Sequence, residues 1–249
     1  MSRRLKLIVA YDGRPFAGWQ SQANGNAVQD HLEKAFARVA TMKVRVHGAG
    51  RTDAGVHALA QCAHADVPET RLTTEQWTSA VNAYLPPTIR ILRCREIGAN
   101  FHARFSAKGK IYRYRIWNDR VLPPLEFGRC WHLANALDVE LMKREARFFV
   151  GQHDFAAFAA NRGKGKEDTI RTIGRAILQQ SGRCITLEIS GDGFLYKMVR
   201  LMVGTLAQIG LGKLPAGVIQ ERLRAPKRQV LLNKLVAPAE GLFLVRVRY

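Results

Sequence analysis

The sequence predicts an α+β fold, with mostly antiparallel strands and packed helices in two halves of similar make-up. Three observations predict it. Short runs rich in Val, Ile and aromatic residues alternate with stretches whose apolar residues recur at helical spacing. Strand candidates often follow one another directly, as in antiparallel sheets. The order strand, helix, two strands, helix, strand in the first half is loosely echoed in the second, without a fixed-period repeat.

The first half reads in order. Leu5 to Tyr11 is a strand, broken by Asp12-Gly13 and Arg14-Pro15. Asn26 is the expected N-cap of a helix whose Val28, Leu32, Ala35, Phe36 and Val39 share a face. Val44 to His47 and Ala60 to Val67 are strands on either side of the glycine-rich loop Gly48–His57. A helix from Thr74 to Tyr84 stops at Pro86-Pro87, and Ile89 to Arg95 is a fourth strand.

In the second half, Ile111 to Trp117 (Ile-Tyr-Arg-Tyr-Arg-Ile-Trp) is strongly β-prone. A helix from Asp138 to Val150 turns Met142, Ala146 and Phe149 to one side, with Leu141 flanking. Asn161 to Asp168, rich in Gly and Lys, reads as an exposed loop. Strands at Thr172–Leu178 and Cys184–Ser190 follow, then a helix from Phe194 to Ile209 and a strand from Phe243 to Tyr249. The domain boundary is expected near Arg104 to Lys110, giving domains 1–104 and 105–249.

Composition narrows the partner. The 249 residues carry 39 Lys plus Arg against 20 Asp plus Glu, a net charge of +19. The basic residues are spread along the whole chain, which points to a charged folded surface rather than a basic tail. Lys and Arg displace the counterions condensed on nucleic acid, so a polyphosphate partner is expected. Cys62, Cys94, Cys130 and Cys184 form no C-x-x-C pair and no disulfide framework, and are expected to be separate reduced thiols of a cytoplasmic protein. We expect no signal peptide, and no apolar run reaches the roughly 18 residues a membrane span needs.

The segment that carries chemistry is Gly48-Ala-Gly-Arg-Thr-Asp-Ala-Gly-Val-His57. Glycine permits positive φ and close approach of another chain. An acid amid positive charge is expected to stay ionised, and an ionised accessible carboxylate can be a nucleophile or a base. Asp53 is therefore the candidate catalytic group, with Arg51 and His57 beside it. His57, His64 and Cys62 match no standard metal-ligand spacing, so no metal is expected. Phe16 and Trp19 could stack on RNA bases, although core packing fits them better.

That loop resembles the signature of the TruA-type tRNA pseudouridine synthases. Similar stretches run along almost the whole chain: Tyr11-Asp-Gly13 with Phe16-Ala-Gly-Trp-Gln20, Val28-Gln29 with Leu32-Glu33, and Phe101-His-Ala-Arg-Phe-Ser106. Lys110-Ile-Tyr-Arg-Tyr114, Phe194-Leu-Tyr-Lys-Met-Val-Arg200 and Ala239-Glu-Gly-Leu242 continue the match. The resemblance implies two similar domains, with sheets joined around a central basic cleft. It also implies a homodimer that needs no cofactor. The implied reaction converts uridine to pseudouridine at positions 38 to 40 of the tRNA anticodon stem-loop.

By the same resemblance Asp53, Tyr112 and Arg200 are the catalytic residues, and Tyr112, Arg51 and His57 bind substrate. Tyr112 would stack on the flipped uracil or serve a proton step. Alternation puts Tyr112 and Tyr114 on one strand face, so spacing does not choose between them; Tyr114 is assigned to sheet packing. Arg200 would hold the aspartate charged and oriented. Arg51 would enter the RNA stack or bind a phosphate. Asp192 departs from the family, which more often has an amide there; the acid is expected to point away or to pair with a lysine such as Lys197. The other readings weighed are a non-catalytic tRNA-binding protein or RNA chaperone, and a nucleotide hydrolase. The hydrolase lacks both a Walker-type loop and an acidic cluster for Mg²⁺.

Overall fold

A computed structural model describes residues 2–23, 25–160, 168–226 and 235–249. In chain order its elements are β1 (Ser2–Tyr11), α1 (Val28–Ala40), β2 (Val46–Gly48), β3 (His57–Pro68), α2 (Thr74–Tyr84) and β4 (Ile89–Ile97). There follow β5 (Gly109–Asn118), β6 (Trp131–Leu133), α3 (Val139–Ala146), β7 (Gly151–Asp154), β8 (Ile170–Ser181) and β9 (Cys184–Gly191). The last elements are α4 (Met198–Gly210), α5 (Val218–Arg224) and β10 (Leu242–Arg248). The fold is α+β. The chain divides into two compact units, one of Met1–Lys108 with Phe243–Tyr249, the other of Gly109–Leu242.

In the first unit the strand order is β4-β1-β3-β10, with β2 also on β3. Pairing is antiparallel except between β10 and β3, which are parallel through Phe243↔His57 and Leu244↔Ala58. Leu5, Leu7 and Val9 alternate along β1 and are fully buried. Phe36 of α1 stacks on Trp77 of α2, ring centroids 5.8 Å apart. Fully burying one such side chain stabilises the fold by about 1.5–3 kcal/mol.

In the second unit the order is β5-β9-β8-β7, antiparallel throughout, with β6 parallel on β5. Met142, Ala146 and Phe149 are fully buried, as their spacing predicts. The helix carrying them is α only to Ala146; its last turn, Arg147–Phe149, tightens to 3-10 geometry.

Two helix starts differ from expectation. Asn26 is not the N-cap of α1: its amide donates to the Pro15 carbonyl at 2.8 Å. The cap is Ala27, whose N–H is taken by the Asp30 carboxylate at 2.9 Å. The last long helix begins at Met198 rather than Phe194, because Lys197 adopts φ 59, outside the right-handed helical region. By contrast α2 begins and ends as predicted. Thr73 and Gln76 cap each other's backbone N–H groups, and Pro86 follows the last turn. The predicted loop at residues 161–168 lies outside the described residues except for Asp168.

Three imidazoles gather on β2, β3 and the segment after β4. His47 stacks on His64 at 4.9 Å, and His102 meets His64 edge-on at 4.6 Å. The Ala103 N–H donates to His64 Nδ1 at 3.1 Å. Burial first, then the charges of His47, Arg4 and His102, pull His64 down to about 4 despite the opposing Asp66. An unfolded histidine titrates near about 6.5. Below that pH the unfolded chain takes up a proton that folded His64 refuses, so stability falls from about pH 6.5 to about 4 and then levels off. His102, also lowered by burial, adds in the same direction. The urea midpoint is expected to drop across this window. His64→Gln, which keeps an acceptor for Ala103, is expected to flatten the drop.

Candidate active site

The Asp53 loop is tied down almost residue by residue. Its first bond runs from the Ala49 N–H to the Cys62 carbonyl at 2.8 Å. The Gln61 side chain donates to the Gly50 carbonyl at 2.9 Å. Arg51, exposed, donates through Nε to Gln20 Oε1 at 3.1 Å. Thr52 is held twice, by the Trp19 N–H on its carbonyl (3.1 Å) and by a hydrogen bond between its hydroxyl and that of Tyr11 (2.8 Å). Asp53 then opens a tight turn closed by the Val56 N–H on its carbonyl at 3.2 Å, with Gly55 at φ +78. Each such bond contributes roughly 0.5–1.5 kcal/mol net, and together they fix where the Asp53 carboxylate projects.

The segment between β1 and α1 braces this loop, and two glycines make the contact possible. A Cβ on Gly13 would overlap the Val56 carbonyl. One on Gly18, which has φ +95, would come within 2.6 Å of the Thr52 carbonyl oxygen. Trp19, 2% exposed, packs against Gly48, whose missing side chain leaves room for the indole. Phe16 and Trp19 are thus core residues. Sequence reasoning gave no role of their own to Tyr11, Gly13, Gly18, Thr52 and Gln61, although all but Gln61 lie in stretches it singled out. Their roles depend on contacts between segments far apart in the chain, which a local pattern does not define.

A second layer runs back to α1. Gln29 takes the Gln20 amide at 2.8 Å and the Ser21 N–H at 3.0 Å, and donates to the Val46 carbonyl at 3.1 Å. Glu33 accepts the Val46 N–H at 3.0 Å. Helix α1 therefore holds both the strand entering the loop and, through Gln20, the Arg51 side chain.

His57 closes the loop and is 3% exposed, its ring stacked on Phe243 at 4.6 Å. The Gly13 N–H points at His57 Nδ1 (3.2 Å), and Asp12 Oδ1 is 3.3 Å from the same nitrogen. The first contact needs a lone pair on Nδ1 and the second a proton there, so the two correspond to different protonation of that nitrogen. Burial works to raise the Asp12 carboxyl, but hydrogen bonds from Arg14 and the nearby His57 outweigh it, leaving its pKa below the usual value.

The other predicted residues belong to the second unit. Tyr112 on β5 is buried at 8% exposure, with Phe194 edge-on at 5.0 Å. Tyr114 packs as expected: it is 1% exposed, donates to the Pro238 carbonyl at 2.8 Å, and fills the space left by Gly241. Burial drives its hydroxyl well above the ordinary value. Arg200 on α4 is half-buried, its Nε donating to the Ala237 carbonyl at 2.7 Å. The Ala237 N–H returns a bond to the Arg200 carbonyl at 3.1 Å. The Asp192 carboxylate accepts the Thr172 N–H at 3.1 and 3.2 Å. The lysine expected as its alternative partner, Lys197, instead lies over the Tyr196 ring.

All four cysteines are free thiols. Among the described residues no group of three or more His, Cys, Asp or Glu is placed to hold a metal ion, and no helix is long and apolar enough to cross a membrane.

Comparison with known proteins identifies the family. A family model described as tRNA pseudouridine synthase matches residues 7–106 and 146–249, stretches that contain the Asp53 loop and Arg200. A protein of Akkermansia muciniphila named tRNA pseudouridine synthase A is 43% identical over 252 residues, spanning 99% of this chain and 95% of that protein. Namesakes from Acetivibrio thermocellus and Geobacillus kaustophilus are each 42% identical, covering 99% and 100% of this chain and 100% and 95% of their own. With agreement of this extent along the whole length, the chain belongs to the tRNA pseudouridine synthases, a family of isomerases.

Proposed function

We propose that the protein isomerises uridine to pseudouridine in the anticodon stem-loop of tRNA, at positions 38 to 40, with Asp53 as nucleophile or general base. The observation that carries this reading is the Asp53 loop itself, a carboxylate on a backbone immobilised by bonds on both sides of it. In the reaction the N1–C1′ bond breaks, the ring turns, and a C5–C1′ bond forms. C5 gives up its hydrogen to solvent and N1 gains one, so atoms balance without a cofactor. A fixed carboxylate near C1′ suits either attack on the sugar carbon or removal of a sugar proton.

The remaining assignments follow the same reading. Tyr112 meets the uracil ring, Arg200 supports the carboxylate charge, and Arg51, exposed beside Asp53, contacts RNA as the target nucleotide leaves its stack. His57, expected from the resemblance to bind substrate, is 3% exposed and is assigned instead to holding the loop's exit. The enzyme works as a homodimer in the cytoplasm, and the +19 charge serves tRNA binding.

The test uses unmodified tRNA tritiated at uracil C5. Tritium should reach water at one equivalent per pseudouridine formed, confined to the anticodon arm. A pure protein that binds this tRNA yet releases nothing would be an RNA-binding protein without this activity. Release mapped to another arm would refute the assigned target site.

A further inference from the structure

Some arginines of this chain sit against an acid, as Arg4 does with Asp66, Arg14 with Asp12, Arg115 with Glu126 and Arg183 with Asp119. Among those of the first unit that do not, four are gathered in one place. Arg93 and Arg95 of β4, and Arg246 and Arg248 of β10, are all exposed and line one groove of about 1300 Å³. Among the described residues none of them forms an ion pair. Glu75 is the one acid among the lining residues.

The topology explains the arrangement. Arg93 lies opposite Ile8, and Arg95 opposite Lys6, across the β4–β1 pair. Residues directly opposite share a sheet face, so these four side chains project to the same side. In the order β4-β1-β3-β10 the two arginine pairs belong to strands three places apart, with Arg246 and Arg248 following the residues of β10 that pair with β3. Between them lie Lys6, Ile8 and Ala60. Within each pair the arginines are two residues apart, roughly 6.8 Å along the strand. The result is a channel with a pair of guanidinium groups on each side.

Lys6 adds a fifth cation. It is 8% exposed and lies over the rings of Tyr249 and Phe101, 3.6 and 4.6 Å from their centroids. Gathering five positive groups costs folding free energy unless an anion compensates them. Guanidinium groups suit phosphate, which they can bind through paired hydrogen bonds.

The channel also lies at a useful distance from the reaction centre. Strand β3 leaves the Asp53 loop at His57, and Lys6 is level with His64, seven residues on. That is roughly 23 Å along the strand.

We propose that this groove binds a run of RNA phosphates several nucleotides away from the base that Asp53 acts on. The proposal rests on the tRNA reading above. It names a second contact on the same substrate that positions the RNA without touching the reacting atoms.

The test compares the pairs R93Q/R95Q and R246Q/R248Q with R45Q/R183Q, which removes the same charge from elsewhere on the surface. Affinity for unmodified tRNA is measured across salt concentrations, alongside steady-state tritium release. Each groove pair should raise KM about tenfold, with the loss concentrated in KM, and lower the salt slope of log affinity by about 1.5 to 2. R45Q/R183Q should leave both within about twofold of the parent. R93K/R95K, which keeps the charge, should recover most of the affinity and guards against misfolding as the cause. Equal effects from all three charge-removing pairs would make net charge the explanation and overturn the groove. Unchanged affinity would do the same, as would a change in sedimentation without a change in salt slope, which would mark an interface between copies. Affinity is read independently of tritium release, so failure of the catalytic reading would not be mistaken for failure of this one.

Discussion

Asp53→Asn is expected to lower tritium release by at least about a thousandfold while leaving tRNA affinity within about threefold. Asparagine keeps the shape of aspartate, so the turn closed by the Val56 N–H on the residue 53 carbonyl should survive. The amide is neither a useful nucleophile at a sugar carbon nor a base, and removing such a group costs roughly 10²–10⁴ in rate or more. RNA affinity rests mainly on phosphate contacts, which the substitution does not touch. Single-turnover release and filter binding on one preparation separate these effects. If binding and thermal stability collapse with activity, the carboxylate is structural and the catalytic assignment fails.

Gly13→Ala is expected to be nearly as damaging without altering any chemical group of the site. The new methyl would overlap the Val56 carbonyl, and that neighbour is backbone in the loop held by the bonds described above. One of the two segments must therefore move. Forced overpacking costs about 1–3 kcal/mol and occasionally more. Displacement of the brace should also disturb the Trp19 and Tyr11 bonds to Thr52, the residue before Asp53. We expect a clear fall in the urea midpoint and at least a hundredfold loss of single-turnover rate, since a shift of about 1 Å at a reacting group can have that effect. Gly25→Ala is the comparison. Gly25, unlike Gly13, has positive φ (+62), but nothing lies within 4 Å of its would-be Cβ. It should lose about 1–2 kcal/mol of stability from backbone strain and keep its activity. Similar rate losses in both variants would show that the close contact with Val56 is not what matters.

Much of the fold was legible because its signals are local. Leu5, Leu7 and Val9 alternate, Met142, Ala146 and Phe149 keep helical spacing, and Pro86-Pro87 marks the end of α2. What was missed lacks such signals. β6 and β7, with 3 and 4 residues, are too short for alternation to register. α5, at 7 residues, has hardly two turns in which to show a face. Asn26 lost the cap because Asp30, one turn further on, reaches back to the Ala27 N–H. Lys197 gives no warning of its positive φ, since lysine rarely adopts it and surrounding packing must impose it. The site divides in the same way. Asp53 and its glycines stand out within a short stretch of sequence, whereas Gly13 and Gly18 act on a loop more than thirty residues away.

Strand β10 has a consequence for how the protein is made. The first unit takes its last strand from Phe243–Tyr249, although the rest of it ends at Lys108. The ribosome must therefore synthesise Gly109–Leu242 before that strand exists, roughly 7 to 27 s at ordinary elongation rates. Throughout that interval the β3 edge that β10 will occupy has open N–H and C=O groups beside the loop that carries Asp53. Contacts of such long sequence separation form late. A nascent chain should therefore hold its reactive carboxylate in an unfinished sheet, and catalytic competence should arrive only with the final residues.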